Sequence, residues 1–558
     1  MAKIWFLILF TCVCAFSQAQ VNYYNKTIDI DTVHNGFHGI VHYNGDTVLI
    51  NGFLRDQSNK RYRTFSYIDV NSGDTITSFK YGRDTIDIYG GNTIDMCIVG
   101  NEIFACGAYY KDGKTFANIL KFSIDGELLL DSLYYKEFEW TEFDCIISTN
   151  DGNFLLVGSK ETIPGNLDAW LVKMDSNGNI LWEKIFDYSI YDGAVLIAAH
   201  QNNFLISAGK SDLITGEIDL WLILVDSLGE IVWEKTYGGP YYDGGGARPL
   251  TNGEIHVSGT REYSFNKKES YVMRLDGNGE LIWQKSLFKM STSNAPSDLS
   301  FFSELVDGSI VLGGTSYEHD TPFDYPIARL YKMDNNGDSL WTRILKIRNN
   351  DNYPTCLQSL ENGDIMIIGF VFPDSPDNTQ DGWIMRTNCL GYFEPPKDSI
   401  VFEGNGVILQ AQNFSTYFEY VTIVWGDGVI DTLYEGALQS LNHTYPFPGN
   451  YIISTSTVAC NDTIKKTIEY TANPPNLSEQ NLMVFPNPND GNFQVWLNSE
   501  ENYRIQVFDL NGRIVFVESD VNLNSVYSLD LFHVESAVYI LKVSSDNSVY
   551  QTRVLVTK

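Results

Sequence analysis

The sequence predicts an all-β protein in which a seven-bladed β-propeller precedes two small β-sandwiches. Three observations lead to this fold class. Of the 558 residues, 14% are aromatic and 45 are glycine, a mixture that favours sheets and tight turns. Two short phrases recur with a fixed period between residues 20 and 392. Two proline-rich linkers then divide the rest of the chain into β-rich segments.

The first recurring phrase is a turn followed by an alternating strand that ends in glycine. Its seven copies close at Gly52, Gly107, Gly158, Gly209, Gly259, Gly313 and Gly369, which are 50 to 56 residues apart. A fixed period of this length is the signature of a repeat architecture.

The second phrase is a strand, an Asp-x-x-Gly turn and another strand that carries tryptophan. Its copies are Asp175, Gly178 and Trp182; Asp226, Gly229 and Trp233; Asp276, Gly279 and Trp283; and Asp334, Gly337 and Trp341. Degenerate copies lie at 69–73, 125–126 and 388–391. Together the two phrases supply four short strands per period, which predicts propeller blades rather than the rungs of a solenoid.

The repeat is offset at its ends. The last copy stops at Gly391, where its outer strand should begin, and a spare strand lies at 23–30, before the first copy. We expect this strand to complete the seventh blade and to close a ring that spans 20–392, because closure removes exposed sheet edges.

The phrase from Tyr237 to Asp243, followed by Asn252-Gly253-Glu254, resembles quinoprotein-like and related secreted bacterial propeller repeats. The resemblance covers about two thirds of the chain and implies a fold rather than a chemistry. A quinoprotein cofactor site usually needs eight blades and adjacent cysteines, and neither is predicted. The sialidase Asp box reads Asp-x-Gly-x-x-Trp, whereas these copies read Asp-x-x-Gly-x-x-x-Trp, which counts against a sialidase.

Residues 1–19 are predicted to be a signal peptide. Lys3 precedes the apolar run 4–16, and small residues before the Ala19–Gln20 bond fit a cleavage site. No other stretch approaches the ~18 apolar residues of a spanning helix, so we expect an exported chain without a transmembrane segment. Six cysteines then remain, and the sequence leaves open whether they are free thiols or form one or two disulfides.

A linker at 394–397 precedes a predicted domain at 398–471. It contains Val424-Trp425-Gly426-Asp427-Gly428 and a second phrase from His443 to Tyr451. These phrases resemble the PKD (polycystic kidney disease) family of Ig-like sandwiches. The resemblance implies a spacer or an interaction module.

A second linker at 473–476 precedes the last predicted domain, 477–558. Its three phrases contain, in order, Pro486, Asn487, Pro488, Gly491 and Phe493; Asp509, Gly512 and Arg513; and Tyr539. They resemble the C-terminal sorting domain of type IX secretion in Bacteroidota. The resemblance implies that the type IX machinery is a partner and that the protein passes through the periplasm, its signal peptide cleaved, to the outer cell surface or the medium.

The charge balance excludes one class of partner. The chain has 38 Lys and Arg against 70 Asp and Glu, for a net charge of −32. Such a chain repels phosphate backbones, so we expect no nucleic-acid binding.

Sequence motifs for catalysis and metal binding are sparse. No G-x-S-x-G, H-E-x-x-H or Walker phrase occurs. His34, His38 and His42 have helical spacing but lie among glycines in a β context, which argues against a metal site. The Asp175 and Asp334 turns resemble calcium loops faintly, but hairpin turns explain them better. We therefore predict no cofactor, with calcium as the weaker alternative.

One set of acidic residues stands ahead of the first strand of successive repeats: Asp95, Asp144, Asp192, Asp243 and Asp298. They form either a ring at the channel mouth, for a cation or for sugar hydroxyls, or a repeated cap on loop N–H groups. The capping interpretation is favoured, because Asp commonly caps loop N–H groups.

These observations predict a non-enzymatic, secreted or surface binding protein for a glycan, a protein or a host surface. Two alternatives stay open. One is a secreted hydrolase or oxidoreductase built on the propeller, and the other is a structural component of the envelope.

Overall fold

The computed structural model describes residues 23–557 apart from short gaps, the longest of which are 135–139, 212–216, 290–297, 318–325, 346–350, 373–379, 435–439 and 473–481. The predicted signal peptide lies outside the described residues. The chain divides into two compact units, with the boundary after Glu394. No helix among the described residues is long and apolar enough to cross a membrane.

The first unit consists of short strands. In chain order they are β1 (Tyr24–Ile28), β2 (Asn35–Asn44), β3 (Thr47–Arg55), β4 (Arg61–Asp69), β5 (Thr75–Tyr81), β6 (Asp87–Gly90), β7 (Met96–Val99), β8 (Glu102–Lys111), β9 (Lys114–Ser123), β10 (Leu128–Tyr134), β11 (Thr141–Ser148), β12 (Phe154–Ile163), β13 (Asn166–Met174), β14 (Ile180–Phe186), β15 (Ala194–His200), β16 (Asn203–Ser211), β17 (Ile218–Val225), β18 (Ile231–Tyr237), β19 (Asp243–Pro249), β20 (Ile255–Ser264), β21 (Lys267–Leu275), β22 (Leu281–Lys289), β23 (Asp298–Glu304), β24 (Ile310–Tyr317), β25 (Pro326–Met333), β26 (Ser339–Leu345), β27 (Asp351–Ser359), β28 (Ile365–Phe372) and β29 (Asp381–Thr387).

Within the described residues these strands form seven sheets. Sheet 1 is β2–β5, sheet 2 is β6–β10, sheet 3 is β11–β14, sheet 4 is β15–β18, sheet 5 is β19–β22, sheet 6 is β23–β26, and sheet 7 is β27–β29 with β1. Each sheet contacts the next along the chain, and sheet 7 contacts sheet 1 through β27, β28 and β2. A closed ring of sheets is a β-propeller, so the prediction of an all-β chain with a propeller is confirmed.

A repeated contact joins neighbouring sheets. The Trp182 ring on β14 covers Gly229 in the turn of sheet 4, where a Cβ atom would lie 2.8 Å from the ring. Gly229 also has a φ of 78°, so glycine suits this position both for its backbone conformation and for the close approach of the ring. Two residues after the tryptophan, Lys184 Nζ lies 2.7 Å from Glu230 Oε1 in the same turn. We call this pair of contacts the outer clamp.

The outer clamp recurs around the ring with changes of residue. The rings of Trp233, Trp283 and Trp341 cover Gly279, Gly337 and Gly391 of the following sheets, and Phe79 covers Gly126. Lys235–Glu280 and Lys285–Asp338 repeat the ion pair at 2.5 and 2.6 Å.

The N-terminal strand β1 lies at the edge of sheet 7. It pairs antiparallel with β29, with Tyr24 opposite Arg386 and Ile28 opposite Gly382. The Tyr24 ring then covers Gly73 of sheet 1, and Lys26 Nζ lies 2.6 Å from Asp74 Oδ1. These contacts reproduce the outer clamp at the junction between the two ends of the unit.

The Asp-x-x-Gly turns are stabilised from within. Asp175 Oδ1 accepts the backbone N–H groups of Asn177 and Asn179 at 2.9 and 2.8 Å, and Asp334 repeats this pattern with Asn336 and Asp338. The carboxylate thus replaces missing backbone acceptors in a tight hairpin turn.

The second unit contains two further pairs of sheets. Its strands are β30 (Ile400–Asn405), β31 (Ile408–Asn413), β32 (Tyr420–Val424), β33 (Ile430–Tyr434), β34 (Ser440–Thr444), β35 (Gly449–Ala459), β36 (Asp462–Ala472), β37 (Met483–Phe485), β38 (Asn492–Trp496), β39 (Asn502–Phe508), β40 (Ile514–Asn522), β41 (Tyr527–Asp530), β42 (Ala537–Ser544) and β43 (Val549–Val556). The sheets β30-β31-β34 and β33-β32-β35-β36 enclose one core around Trp425. The sheets β37-β38-β41 and β40-β39-β42-β43 enclose another around Ile505.

The cysteines divide into two groups. Cys97, Cys106, Cys145 and Cys356 are free thiols, whereas Cys389 and Cys460 are disulfide-bonded. Burial raises the pKa of the Cys106 thiol well above its ordinary value, so it behaves as a core residue rather than as a nucleophile.

Removal of residues 23–30 should destabilise the propeller strongly. The deletion exposes the edge of β29 and removes the Tyr24 clamp, so we expect a lower melting temperature and aggregation. Lys26→Ala is the matched control, because it removes only a solvent-exposed ion pair, and such pairs contribute little to stability. Equal melting temperatures for the deletion and the intact chain would contradict a closing role for β1.

Candidate functional site

The first strands of the sheets surround the centre of the ring. β7, β11, β15 and β19 contact one another in turn, and β23, β27 and β2 do the same. In an antiparallel sheet the start of the first strand, the end of the second strand and the start of the third strand lie side by side, at the same end of the sheet along the strand direction. These ends of the seven sheets together form one mouth of the propeller, which we call the rim.

Asp95 lies beneath the rim in a buried polar network. Its Oδ2 accepts a hydrogen bond from Arg63 Nη2 at 2.8 Å, and its Oδ1 accepts one from Asn51 Nδ2. Asp95 and Arg63 are each 1% exposed. Burial raises the pKa of Asp95, and the Arg63 charge opposes that rise. The Asp95 carboxylate therefore has two side-chain partners within the protein.

Two other predicted aspartates hold loops in place. Asp192 accepts the backbone N–H groups of Tyr188, Ser189 and Ser211 at 2.7, 2.5 and 3.2 Å. Asp243 accepts the N–H of Gly239 at 2.8 Å. These bonds are the loop caps that the capping interpretation describes.

The remaining two aspartates differ from these. Asp144 lies at a β-bulge of β11, and its pKa is raised well above the usual range by burial and by Glu142 and Asp95. Asp298 begins β23, and its side chain lies outside the described residues. The ring of five aspartates stays a prediction.

Asp243 separates two cavities of the rim. One, of about 370 Å³, is lined by Tyr237, Arg261 and Tyr271, and the other, of about 280 Å³, by Asp192, Asp219 and Tyr242. Burial raises the pKa of Asp243 to about 6. The lining is acidic, because the Arg261 charge is paired with Glu269 at 2.7 Å. Such walls offer hydrogen bonds to hydroxyl groups and repel anions.

Sheet 1, in contrast to the acidic cavities, carries basic residues at the rim. The hairpin that joins β3 to β4 carries Arg55, Lys60 and Arg61 in a chain of net charge −32. The Arg61 guanidinium lies between two aromatic rings, 4.3 Å from the centroid of Phe53 and 4.3 Å from that of Tyr89. Cation–π contacts with two rings therefore fix its position.

The Arg61 guanidinium is largely buried, and its charge is only partly compensated. Burial lowers the pKa of Arg61 to about 10, and Tyr89 and Asp87 oppose that shift. The Asp87 carboxylate accepts the backbone N–H of Arg61 at 3.3 Å. Within the described part of the chain, the buried Nε of Arg61 has no hydrogen-bond partner. The guanidinium thus keeps a donor without a partner among the described residues, although Nε itself is enclosed by protein.

His38 lies beside this arginine at a β-bulge. The register of β2 shifts between Phe37 and Gly39, which turns the intervening His38 towards Phe53, with ring centroids 5.3 Å apart. Burial, followed by the charges of Arg61 and Arg63, lowers the pKa of His38 to about 4. No described residue is hydrogen-bonded to its buried Nε2. His38 is therefore a neutral base at pH 7, next to a buried cation.

The buried network beneath the rim supports the bulge. Gly39, the residue after His38, donates its N–H to Asn51 Oδ1 at 2.7 Å. The Asn51 amide in turn donates to Asp95, which Arg63 holds. Asp95 thus acts as a positioning residue for the His38 bulge, a role that its sequence position did not reveal.

The three histidines of the sequence motif do not converge. His34 Nδ1 accepts the N–H of Gln380 at 3.1 Å, and His42 Nε2 lies 3.1 Å from Gly45 O at the far end of β2. Among the described residues, the cluster with the spacing of a metal site is Asp168, Asp187 and Asp192.

Arg61 is the functional candidate that the sequence did not predict. A single arginine at the start of a strand matches no motif, so no local signal marks it. The density of basic residues in the β3–β4 hairpin of an acidic chain is the one feature that could have drawn attention to it.

A motif residue near the start of the C-terminal domain is hydrogen-bonded to its last strand. Asn487 donates to Arg553 O at 2.7 Å and accepts the N–H of Leu555 at 2.7 Å. Asp509 Oδ1 accepts the N–H groups of Asn511 and Arg513, both at 2.9 Å. The Pro-Asn-Pro opening and the hairpin are therefore parts of one fold.

Residues 483–557 match the family described as the secretion system C-terminal sorting domain. The protein is accordingly secreted or carried to the cell surface, and the type IX secretion machinery is its partner. The predicted boundary at 477 stays a prediction.

A curated relative is the ulvan lyase NLR42 of Nonlabens ulvanivorans, 34% identical over 74 residues. The match spans 13% of this chain and 14% of the lyase, so the activity and substrate of the whole protein are proposals. This enzyme relative corrects the prediction of a non-enzymatic binding protein and fits the enzyme alternative better, although that alternative named a hydrolase or an oxidoreductase and the relative is a lyase.

Two solved structures are also similar to the chain. A polysaccharide lyase described as an ulvan lyase of family PL25 is 12% identical, covers 63% of this chain and 94% of its own, and has a TM-score of 0.43. The β-propeller domain of the Trilobed protease from Pyrococcus furiosus is 10% identical, covers 65% of this chain and 100% of its own, and has a TM-score of 0.36.

The stability of the propeller should depend on the ionisation of Asp243. Its pKa in the folded protein, about 6, lies above the ordinary value near 4, so folding favours the protonated form. Stability is thus lost as the pH rises from about 4 to about 6. Asp243→Asn should raise the melting temperature more at pH 8 than at pH 4.

Asp175→Asn is the control with the opposite sign. Hydrogen bonds from Asn179 lower the pKa of Asp175, so its contribution is present at neutral pH and is lost in acid. If Asp243→Asn changes the melting temperature equally at both pH values, the assigned shift is wrong.

Proposed function

We propose that this protein is a secreted polysaccharide lyase that cleaves a uronate-containing polysaccharide at the rim of sheets 1 and 2. The observation that carries the proposal is the Arg61 guanidinium, held between Phe53 and Tyr89 beside the neutral His38. The lyase relative supports the reaction class, but its similarity covers only 74 residues. The case for chemistry therefore rests on these side chains.

The reaction is a β-elimination. Arg61 binds the carboxylate of the uronate and stabilises the negative charge that develops when the adjacent carbon loses its proton. The His38 imidazole accepts that proton, a double bond forms between C4 and C5, and the glycosidic bond from C4 to oxygen breaks. The Tyr89 hydroxyl, whose ring flanks Arg61, returns a proton to the leaving oxygen.

The local electrostatics suit this division of roles. A base must be unprotonated before it reacts, and the lowered pKa of His38 keeps it so at neutral pH. The two aromatic rings hold the guanidinium without neutralising it, which leaves its charge for an anionic ligand. Basic residues of the β3–β4 hairpin concentrate positive potential at this part of the rim.

We further propose that each of the seven sheets is one blade, so the propeller is seven-bladed and spans 20–392. We assign 398–471 to a PKD-like, Ig-fold sandwich that acts as a spacer, and 477–558 to a sorting sandwich. Cleavage between Ala19 and Gln20 would release the signal peptide in the periplasm. These assignments rest on the repeat, on the sheet pairs and on the quoted motifs.

His38→Ala should lower the rate of ulvan cleavage by about 10²-fold or more, because it removes the general base. Arg61→Gln should have a similar effect, because it removes the charge that stabilises the intermediate. The measurement is the ultraviolet absorbance of the new carbon–carbon double bond conjugated to the carboxylate. The value of kcat/KM should fall as the pH drops through about 4, where His38 becomes protonated.

His42→Ala is the matched control, since this exposed histidine lies on the same strand but away from the site. It should retain full activity. Release of reducing ends without the new absorbance would identify a hydrolase and overturn the lyase proposal.

A chain that ends at Thr471 should cross the inner membrane and accumulate in the periplasm. It lacks the matched sorting domain, while the sheets of the propeller include no strand of that domain. Fractionation of cells that express the shortened or the full-length chain measures this. A surface or medium level equal to that of the full-length chain would contradict the assigned role of 477–558.

A further inference from the structure

The aromatic residues next to Arg61 continue onto sheet 7. A Cβ atom on Gly36 would lie 2.8 Å from Gln380 Nε2, 3.0 Å from Phe53 Cε1 and 3.2 Å from Phe370 Cβ, so these three side chains meet over the glycine. Phe370 stacks on Tyr353 with centroids 5.0 Å apart and planes 19° apart. Phe372 meets both rings edge-on, at 5.9 and 6.0 Å.

The repeat explains why these rings fall in one line. Cβ atoms on Gly52, Gly107 and Gly369 would meet the backbone oxygens of Gly36, Tyr89 and Tyr353 at 2.0, 2.1 and 2.0 Å. Gly36, Tyr89 and Tyr353 therefore occupy the same position in sheets 1, 2 and 7. At the middle position glycine carries no side chain, and the side chains of Gln380, Phe53 and Phe370 fill that place between the two tyrosine positions.

We define the aromatic strip as Tyr89, Phe53, Phe370, Tyr353 and Phe372. Each of these side chains is only partly buried, although full burial of a large aromatic ring would stabilise the folded protein more. Neighbouring rings that each keep some surface open to solvent offer a place for a ligand to pack. The apolar face of a sugar ring packs on such a surface, and the strip is continuous with the Arg61 site.

We propose that the aromatic strip binds the polysaccharide chain on either side of the reacting uronate, with a distal sugar stacked on Tyr353 and Phe372. This inference rests on the proposed function, because it places the reacting uronate at Arg61. It predicts that the enzyme recognises several consecutive sugars and acts within a polymer. A short oligosaccharide would fill the Arg61 site and leave the sheet 7 end of the strip empty.

The test uses the full chain with His38→Ala, so that substrate is bound without being consumed. Calorimetry measures the dissociation constants of ulvan oligosaccharides two and six sugars long. Tyr353→Ala should weaken binding of the hexasaccharide roughly tenfold and leave the disaccharide unchanged. Tyr353→Trp should preserve hexasaccharide binding, because a larger ring can still stack.

Tyr191→Ala is the matched control, since Tyr191 is 57% exposed and lies at the part of the rim formed by sheet 4. It should leave both affinities unchanged. Melting temperatures check that each variant is folded, and Phe372→Ala provides a second strip variant if Tyr353→Ala is unstable.

The outcomes separate this inference from the proposed function. If strip variants leave hexasaccharide binding unchanged while Arg61→Gln weakens it, the strip is overturned and the uronate site stands. If strip variants weaken hexasaccharide binding and Arg61→Gln does not, the uronate site is overturned instead. Equal weakening of both oligosaccharides by Tyr353→Ala would also overturn the distal role of the strip.

Discussion

The outer clamp between neighbouring sheets is the contact on which the rest of the propeller depends. A four-stranded sheet has two faces and two edges, and alone it would leave much apolar surface in water. The clamp sets an aromatic ring of one sheet on a glycine of the next, where any side chain would collide with it. Because the glycine also adopts a positive φ, one residue type satisfies both the turn and the packing.

The ring imposes a second constraint, which concerns its ends. Every sheet needs a neighbour on both sides, so the first and last repeats must meet. Strand β1 achieves this by pairing with β29 while Tyr24 and Lys26 reproduce the clamp on sheet 1. The ends of the unit are thereby held by the same physical contact as its interior.

Because the outer part of each sheet packs against its neighbour, the residue types at the rim can differ from sheet to sheet. Equivalent positions carry glycine in sheet 1 and tyrosine in sheets 2 and 7, and the bulge carries histidine in sheet 1 and aspartate in sheet 3. Sheet 1 therefore presents cations and aromatic rings, whereas sheets 4 and 5 present carboxylates. A polyanion is attracted to the first sector and repelled from the second.

The sequence by itself determined the repeat, its turns and the sorting tail, because these depend on local patterns: glycine where φ is positive, aspartate where a turn needs an acceptor, and alternation where one face is buried. It also indicated the closing strand, since an incomplete last repeat implies a missing edge. Only the tertiary structure showed which side chains surround the aspartates and Arg61. Asp95 became a buried support for the His38 bulge because Arg63 and Asn51 reach it from another sheet, and Arg61 gained its place between Phe53 and Tyr89 because the ring brings sheets 1 and 2 together. Such contacts join residues far apart in the chain, so no local pattern records them.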